Sequence, residues 1–294
     1  MTVNDAFERF LFKKQIKNLS PKTIVDYRTF CVPFISFVGA SLDVAEIETA
    51  LVEKYISTLY KRPLSDATRA TYIRHIKAFL RWLKDCYSIP VILSEIEVPK
   101  VGKKFVRTLE EDDVKKLFSY IPASPKWIHF RNCAIIALMY DSGLRQNEVA
   151  TLLLADLDME NRIAIVRGKG NKERFVSVGH TTMDYIQAYL EACPFAAPSL
   201  FVERNGKPLS TNAIKLMVQK LRKASGIDFS SHKLRHNFAT NYVIDSLHAT
   251  GQCDAFTLQT LLGHENIKTT EQYLHYGKNL VAAENGHSHL DTFF

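Results

Sequence analysis

The sequence predicts a mainly α (α+β) protein, with a helical N-terminal part followed by a mixed, mostly helical part that carries one small antiparallel sheet. Three observations carry this expectation. Apolar residues recur at helical spacing through residues 20–87 and again beyond residue 110. Residues 89–106 lose that period and contain Pro90, Pro99 and Gly102, as a linker does. A single pair of alternating segments, 162–166 and 174–178, flanks the turn Gly168-Lys169-Gly170-Asn171-Lys172 and reads as a β-hairpin. The chain therefore divides into 1–88, a linker at 89–106, and 107–294.

The elements follow in order. Ser20 caps a helix that Pro21 opens, because proline lacks only a donor that the first turn leaves unpaired anyway. Ile24, Tyr27, Phe30, Phe34 and Phe37 give that helix its apolar face. Residues 44–60 read as a second amphipathic helix, ended before Pro63, and Ser65 caps a third that runs to about Tyr87. In the third, Ile73, Ile76, Leu80 and Leu83 form an apolar stripe, and Arg74, Lys77, Arg81 and Lys84 form a basic one beside it. Between Lys54 and Lys84 there are eight lysines or arginines and one acid, Asp66. A merely solvated face usually mixes signs, so this stripe reads either as a solvated face or as a surface that tracks phosphates. After the linker, Thr108 is placed to cap an acid-rich first helical turn. Helical pattern continues over 128–140 and 148–154, and after the hairpin in pieces broken near Pro194, Gly206 and Gly226.

Bulk properties narrow the function class. A chain of 294 residues that is 46% hydrophobic is long enough for two cores, and a net charge of +7 suits a polyanionic partner without requiring one. The five cysteines, Cys31, Cys86, Cys133, Cys193 and Cys253, are isolated and form no CxxC pair, as in a reduced protein without a structural zinc site. The start of the chain lacks a basic segment followed by an apolar one, and the most apolar run, 133–140, falls far below the ~20 residues that cross a bilayer. A cytoplasmic protein is expected.

Five short motifs hold the chemistry-bearing residues. Asp141-Ser-Gly-Leu-Arg-Gln-Asn-Glu148 places Arg145 and Glu148 three apart behind a glycine turn, which taken alone is an ordinary ion pair. Arg167-Gly-Lys-Gly-Asn-Lys-Glu-Arg174 is a basic hairpin tip, ordinarily a solvated one. Ser231-His-Lys-Leu-Arg-His236 sets His232 and Arg235 on one turn after the cap Ser230. Leu261-Leu-Gly-His264 ends a helix at Gly263, and Thr269-Thr-Glu-Gln-Tyr273 precedes Tyr276 on the same face. Either tyrosine could be a core residue. Cleaving a phosphodiester with a protein hydroxyl requires a nucleophile, groups that hold the phosphate oxygens and an acid for the leaving oxygen, and arginine suits the second task through its permanently charged planar fork.

In this order the motifs resemble the tyrosine recombinase (phage integrase) family, Xer-like and without an arm-binding domain, over residues from about Arg107 to Tyr276. The resemblance implies a helical core-binding (SAM-like) domain at 1–88 and the tyrosine recombinase catalytic fold at 107–294, with a C-terminal interaction tail that includes Leu290, Phe293 and Phe294. It implies Arg145 and Arg235 as phosphate clamps, Lys169 as the acid that protonates the leaving 5′ oxygen, His232 as a general base or phosphate hydrogen-bonder and His264 as a further donor. Tyr273 is then the nucleophile, selected over Tyr276 by the Thr-Thr-x-x-Tyr spacing, with Glu148 supporting. His236 reads as structural, and Arg74, Lys77, Arg81, Lys172 and Arg174 as contacts to the DNA backbone.

The activity implied is site-specific strand exchange through a 3′-phosphotyrosyl bond, on double-stranded DNA with an inverted-repeat core site. A homotetramer would assemble on DNA from monomers or weak oligomers, with no cofactor, no metal and no membrane partner. No Gly-x-x-x-x-Gly-Lys-Ser/Thr loop is present, which fits chemistry that keeps its energy in the covalent link. Two alternatives use the same residues: a type IB topoisomerase that relaxes DNA, and a catalytically inactive DNA-binding protein. The sequence departs from the family at Ser231, where many relatives have proline, and over residues 245–255, which look longer and are expected to lengthen a surface turn.

Overall fold

The structure is a computed structural model that describes residues 1–102, 107–168, 172–286 and 290. It consists of two compact units, Met1–Lys104 and Phe105–Phe294.

The first unit is built from α1 (Val3–Ile16), α2 (Pro21–Val38), α3 (Thr49–Tyr60) and α4 (Asp66–Tyr87). The caps Ser20 and Ser65 accept hydrogen bonds from Thr23 N and Thr68 N, as their positions predict. The sequence signals single out no helix before residue 20, yet α1 is there, with Thr2 accepting from Asp5 N. Val3, Ala6, Phe7, Phe10 and Leu11 form its buried face, a three–four spacing that was available in the sequence. Phe7 and Phe10 each meet Phe79 of α4 at 5.3 Å between ring centroids. Burying each of these rings stabilises the unit by up to about 3 kcal/mol.

The helix expected over 44–60 is two elements. Asp43 and Glu46 close a reciprocal capping box around a 3₁₀ turn at Val44–Glu46, and the backbone then extends so that Ile47 enters the core before α3 begins. The segment read as a linker also packs here. Ile89, Val91 and Ile96 join the first core, and Lys84 Nζ and Lys77 Nζ donate to the Val91 and Ile96 carbonyls at 2.9 and 2.7 Å.

The second unit contains α5 (Glu111–Ser119), α6 (Lys126–Asp141), α7 (Gln146–Thr151), β1 (Leu157–Asp158), β2 (Ile163–Arg167), β3 (Glu173–Ser177), α8 (His180–Ala192), α9 (Thr211–Ser225), α10 (Ser231–Thr250), α11 (Ala255–Leu262) and α12 (Lys268–Glu284). α6 is apolar nearly all round and is the central helix, packed by α8 and α10. The three strands form an antiparallel sheet ordered β1-β2-β3, with Ala164 opposite Val176 and Val166 opposite Arg174. The two-residue β1 was not foreseen, because a strand that short carries no alternation.

Two further expectations are corrected. Thr108 is not the cap of α5. The N-cap is Glu110, because Leu109 buries its side chain and its carbonyl accepts from Asn237 Nδ2 at 3.2 Å, which fixes the chain before the helix starts. The extra length near 245–255 is not a longer turn. Residues 245–250 continue α10, which stops at Gly251 in the left-handed conformation (φ 72°). Among the described residues no helix is long and apolar enough to cross a membrane.

Candidate active site

Six of the candidate residues converge on one cleft of the second unit, lined by Arg145, Lys172, Arg174, His232, Arg235 and His264. The turn before α7 sets the first of them. Gly143 has φ 64°, and a Cβ there would collide with the ring of Phe238, so only glycine lets the chain pass under α10. Arg145 then becomes the N-cap of α7. Its backbone N–H donates to Glu148 Oε2 at 2.7 Å, its Nη1 to Glu148 Oε1 at 2.8 Å and its Nη2 to the Gly263 carbonyl at 3.0 Å. The side chain remains 40% exposed, so the guanidinium faces the cleft while anchored from behind.

Glu148 is the centre of this arrangement and is only 3% exposed. Besides Arg145 it receives a bidentate pair from Arg174, with Nη1 to Oε1 at 2.8 Å and Nη2 to Oε2 at 2.9 Å. Arg235 Nη1 lies 3.8 Å from Oε2. Burial pushes the Glu148 carboxyl upward, but the hydrogen bonds and charge of Arg174, with those of Arg145, outweigh it and hold the group below its ordinary value.

Arg174 was expected at the DNA backbone. It is instead buried and turned inward, with Nε donating to the Leu261 carbonyl at 2.9 Å. The sheet register explains this. Arg174 sits opposite Val166 on the covered face of β3, where side chains alternate between core and solvent. Lys172 is exposed, and its carbonyl closes the hairpin by accepting from Gly168 N at 2.8 Å. Lys169, read as the acid, lies outside the described residues.

Arg235 is 2% exposed, and its Nη1 and Nη2 donate to the carbonyls of Gly143 (2.5 Å) and Leu262. Burial, then the neighbouring Arg145 charge, lower it to about 9, so it is still a cation at neutral pH. Arg145, Arg174 and Arg235 share the one carboxylate of Glu148, and with Lys172, Glu173 and Glu265 also on its lining the partly desolvated cleft keeps a positive balance. An anion that offers paired acceptor oxygens, such as a phosphodiester, fits that positive balance.

The histidines lie close by. His232 and His236 meet edge to face at 4.4 Å between centroids, and His236 lies 5.1 Å from the ring of Tyr273. The rings of His264 and Tyr273 stack at 6.3 Å with 14° between planes. Burial, with help from nearby positive groups, lowers His232, and lowers His236 and His264 to about 4, so the imidazoles are neutral at physiological pH. Tyr273 is 5% exposed and its phenol is raised by burial, against the lowering effect of Arg235. Tyr276, its neighbour in the motif, is half-buried.

Reading the sequence missed two contacts: the inward brace Arg174, and the Ser231 hydroxyl, which donates to Gln146 Oε1 at 3.0 Å and ties α10 to α7. Only the alternation along β3 could have signalled the first. Arg74, Lys77 and Arg81 lie on α4 of the other unit. Arg74 and Arg81 are exposed, whereas Lys77 is partly buried by its bond to Ile96.

Comparisons with known proteins identify the family. Residues 107–279 match the phage integrase family, and residues 5–86 match the phage integrase N-terminal SAM-like domain. The chain is 31% identical over 286 residues to the tyrosine recombinase XerC of Halalkalibacterium halodurans, covering 92% of this chain and 91% of the relative. It is 29% identical over 282 residues to XerC of Staphylococcus carnosus, covering 93% of each. Among solved structures, the Tn1549 transposon integrase in complex with circular intermediate DNA superimposes with a TM-score of 0.72 at 21% identity, covering 93% of this chain and 95% of that one, which shows the fold.

Proposed function

The chain belongs to the phage integrase family of tyrosine recombinases, and from that premise we propose that it exchanges DNA strands at a specific site through a covalent bond between Tyr273 and a 3′ phosphate. The observation that carries this reading is the placement of Tyr273 beside the cleft that gathers Arg145, Arg235 and His264. Its phenol is protonated at neutral pH, so attack on phosphorus must transfer that proton. The neutral imidazole of His232 is the acceptor.

As the phenolic oxygen bonds to phosphorus, the bond from phosphorus to the 5′ oxygen breaks, and Lys169 donates the proton that lets that oxygen leave. Arg145 and Arg235 hold the nonbridging oxygens, where the transition state gathers negative charge. Glu148 and Arg174 are braces that hold the arginines at the cleft. Rejoining reverses these steps with a 5′ hydroxyl from the partner strand.

Four protomers on an inverted-repeat core site would supply the paired strands. The helical unit, with Arg74 and Arg81 of α4, would contact the DNA backbone. Lys172 at the hairpin would add a further phosphate contact.

Tyr273→Phe tests the assignment on a nicked suicide substrate. Covalent protein–DNA adducts should vanish while specific binding stays within a few-fold, and Tyr276→Phe should still cleave. Adducts that persist in Tyr273→Phe would show that another residue is the nucleophile.

A further inference from the structure

We propose that Thr270 is a positioning residue that fixes His264 in the tautomer carrying its proton on Nε2, and that it links this donor to the placement of Tyr273. The inference rests on the reading of Tyr273 and His264 given above, but it can be measured without DNA.

The argument begins with what helical threonines do with their hydroxyl protons. Thr29, Thr71, Thr151 and Thr260 each donate back to the carbonyl four residues earlier, at 2.8–2.9 Å. Thr270 does not: it stands in the first turn of α12, and the chain four residues before it is not helical. Its hydroxyl contacts Nδ1 of His264 at 2.9 Å instead, and the residue is fully buried.

Among the described residues the Thr270 hydroxyl has no other hydrogen-bond partner. If Nδ1 carried the imidazole proton, the hydroxyl could only accept, and its own proton would be buried without an acceptor. If Nδ1 is bare, both groups are satisfied, and the single proton of the neutral ring must sit on Nε2. The main chain of His264 is held independently: its N–H donates to the Gln259 carbonyl at 3.1 Å, and its carbonyl accepts from Gln259 Nε2 at 2.9 Å. The contact that orients the ring is therefore the one to Thr270. His264 lines the cleft with Arg145 and Arg235, so an Nε2 proton makes it a donor there rather than an acceptor. Burial and the nearby arginines keep the ring neutral, which is why the tautomer decides its role.

Thr270 and Tyr273 lie three apart on α12, on one face of the helix. A shift of that turn that moved Tyr273 would also withdraw the hydroxyl from Nδ1. The phosphate-facing donor would then be in place only when the nucleophile is.

The test uses the full chain labelled with ¹⁵N-histidine. At neutral pH the His264 ring should report the Nε2–H tautomer. Thr270→Val, which keeps the shape and removes the hydroxyl, should mix the tautomers, and Thr270→Ser should restore the original pattern. In single-turnover cleavage Thr270→Val should be slower by about tenfold with DNA affinity within a few-fold, and Thr270→Ser should recover most of the rate. An Nδ1–H tautomer in the unaltered protein overturns the inference, and that measurement needs no variant to fold. So does an unchanged tautomer in Thr270→Val, or equal slowing by valine and serine. Covalent adducts in Tyr273→Phe would sink the assignment of the nucleophile and leave the tautomer result standing.

Discussion

Replacing Glu148 with glutamine should destabilise the second unit severely, and an anion should partly undo the damage. The carboxylate accepts four hydrogen bonds, from Arg145 N and Nη1 and from Arg174 Nη1 and Nη2, with Arg235 3.8 Å away. Glutamine keeps the volume and one carbonyl oxygen. Its amide nitrogen turns two acceptor positions into donors facing donors. Removing one partner of a buried ion pair costs about 3–5 kcal/mol. Two buried donors left unmet, at about 1–3 kcal/mol each, give about 2–6 kcal/mol by a separate route, a range that contains the first. For a unit of this size the loss corresponds to a fall in Tm of about 6–20 °C.

The assay is thermal unfolding followed by calorimetry, with the exposed Glu160→Gln as a control that should stay within about 0.5 kcal/mol. Three guanidiniums without their carboxylate should bind sulfate or a DNA core site more eagerly. Sulfate should therefore raise the Tm of Glu148→Gln more than it raises that of the unaltered protein or of Glu160→Gln. A fall in Tm below about 2 °C would mean that the three arginines do not depend on this carboxylate, and the account of the cleft would fail.

Three other outcomes follow from the same reasoning. Lys169→Ala should lose cleavage on ordinary DNA and recover it on a substrate with a 5′-bridging sulfur, since a thiolate leaves without a proton; rescue no greater than that of Arg235→Ala would remove Lys169 as the acid. Neutralising Arg74 and Arg81 together should reduce the magnitude of the log–log salt slope of DNA binding by roughly one per lost phosphate contact, with Lys77 contributing less because it is bound to the Ile96 carbonyl; an unchanged slope would make α4 a solvated face. Stability should fall on acidification from about pH 6.5 towards pH 4, where the unfolded chain takes up protons that the lowered His236 and His264 refuse, each contributing at most about 1.4 kcal/mol per pH unit. Urea unfolding at pH 7 and pH 5 measures it, and a His236→Gln chain that is no less acid-sensitive than the parent would contradict the cause.

Much of this protein was legible in order along the chain, because the signals are local. A serine before a proline or an acid announces a helix start, apolar spacing announces its face, and α2, α4, the hairpin and the stop at Gly263 all follow from contacts within a few residues. The identity of the family was legible for the same reason, since Arg145, His232, Arg235, His264 and Tyr273 each sit in a short motif.

Tertiary structure decided what those residues touch. Whether Arg174 points outward or towards Glu148 depends on the pairing of β3 with β2, and it points to Glu148. The start of α5 depends on Asn237, 128 residues away, and the tight turn at Gly143 on the ring of Phe238. Long-range hydrogen bonds and steric contacts leave no trace in local periodicity. One sequence could therefore name the charged residues of the cleft, but only the fold could show three arginines gathered on one buried carboxylate. A low-dielectric interior makes that grouping costly without an anion, and it is the packing of α7, β3 and α10 that imposes it.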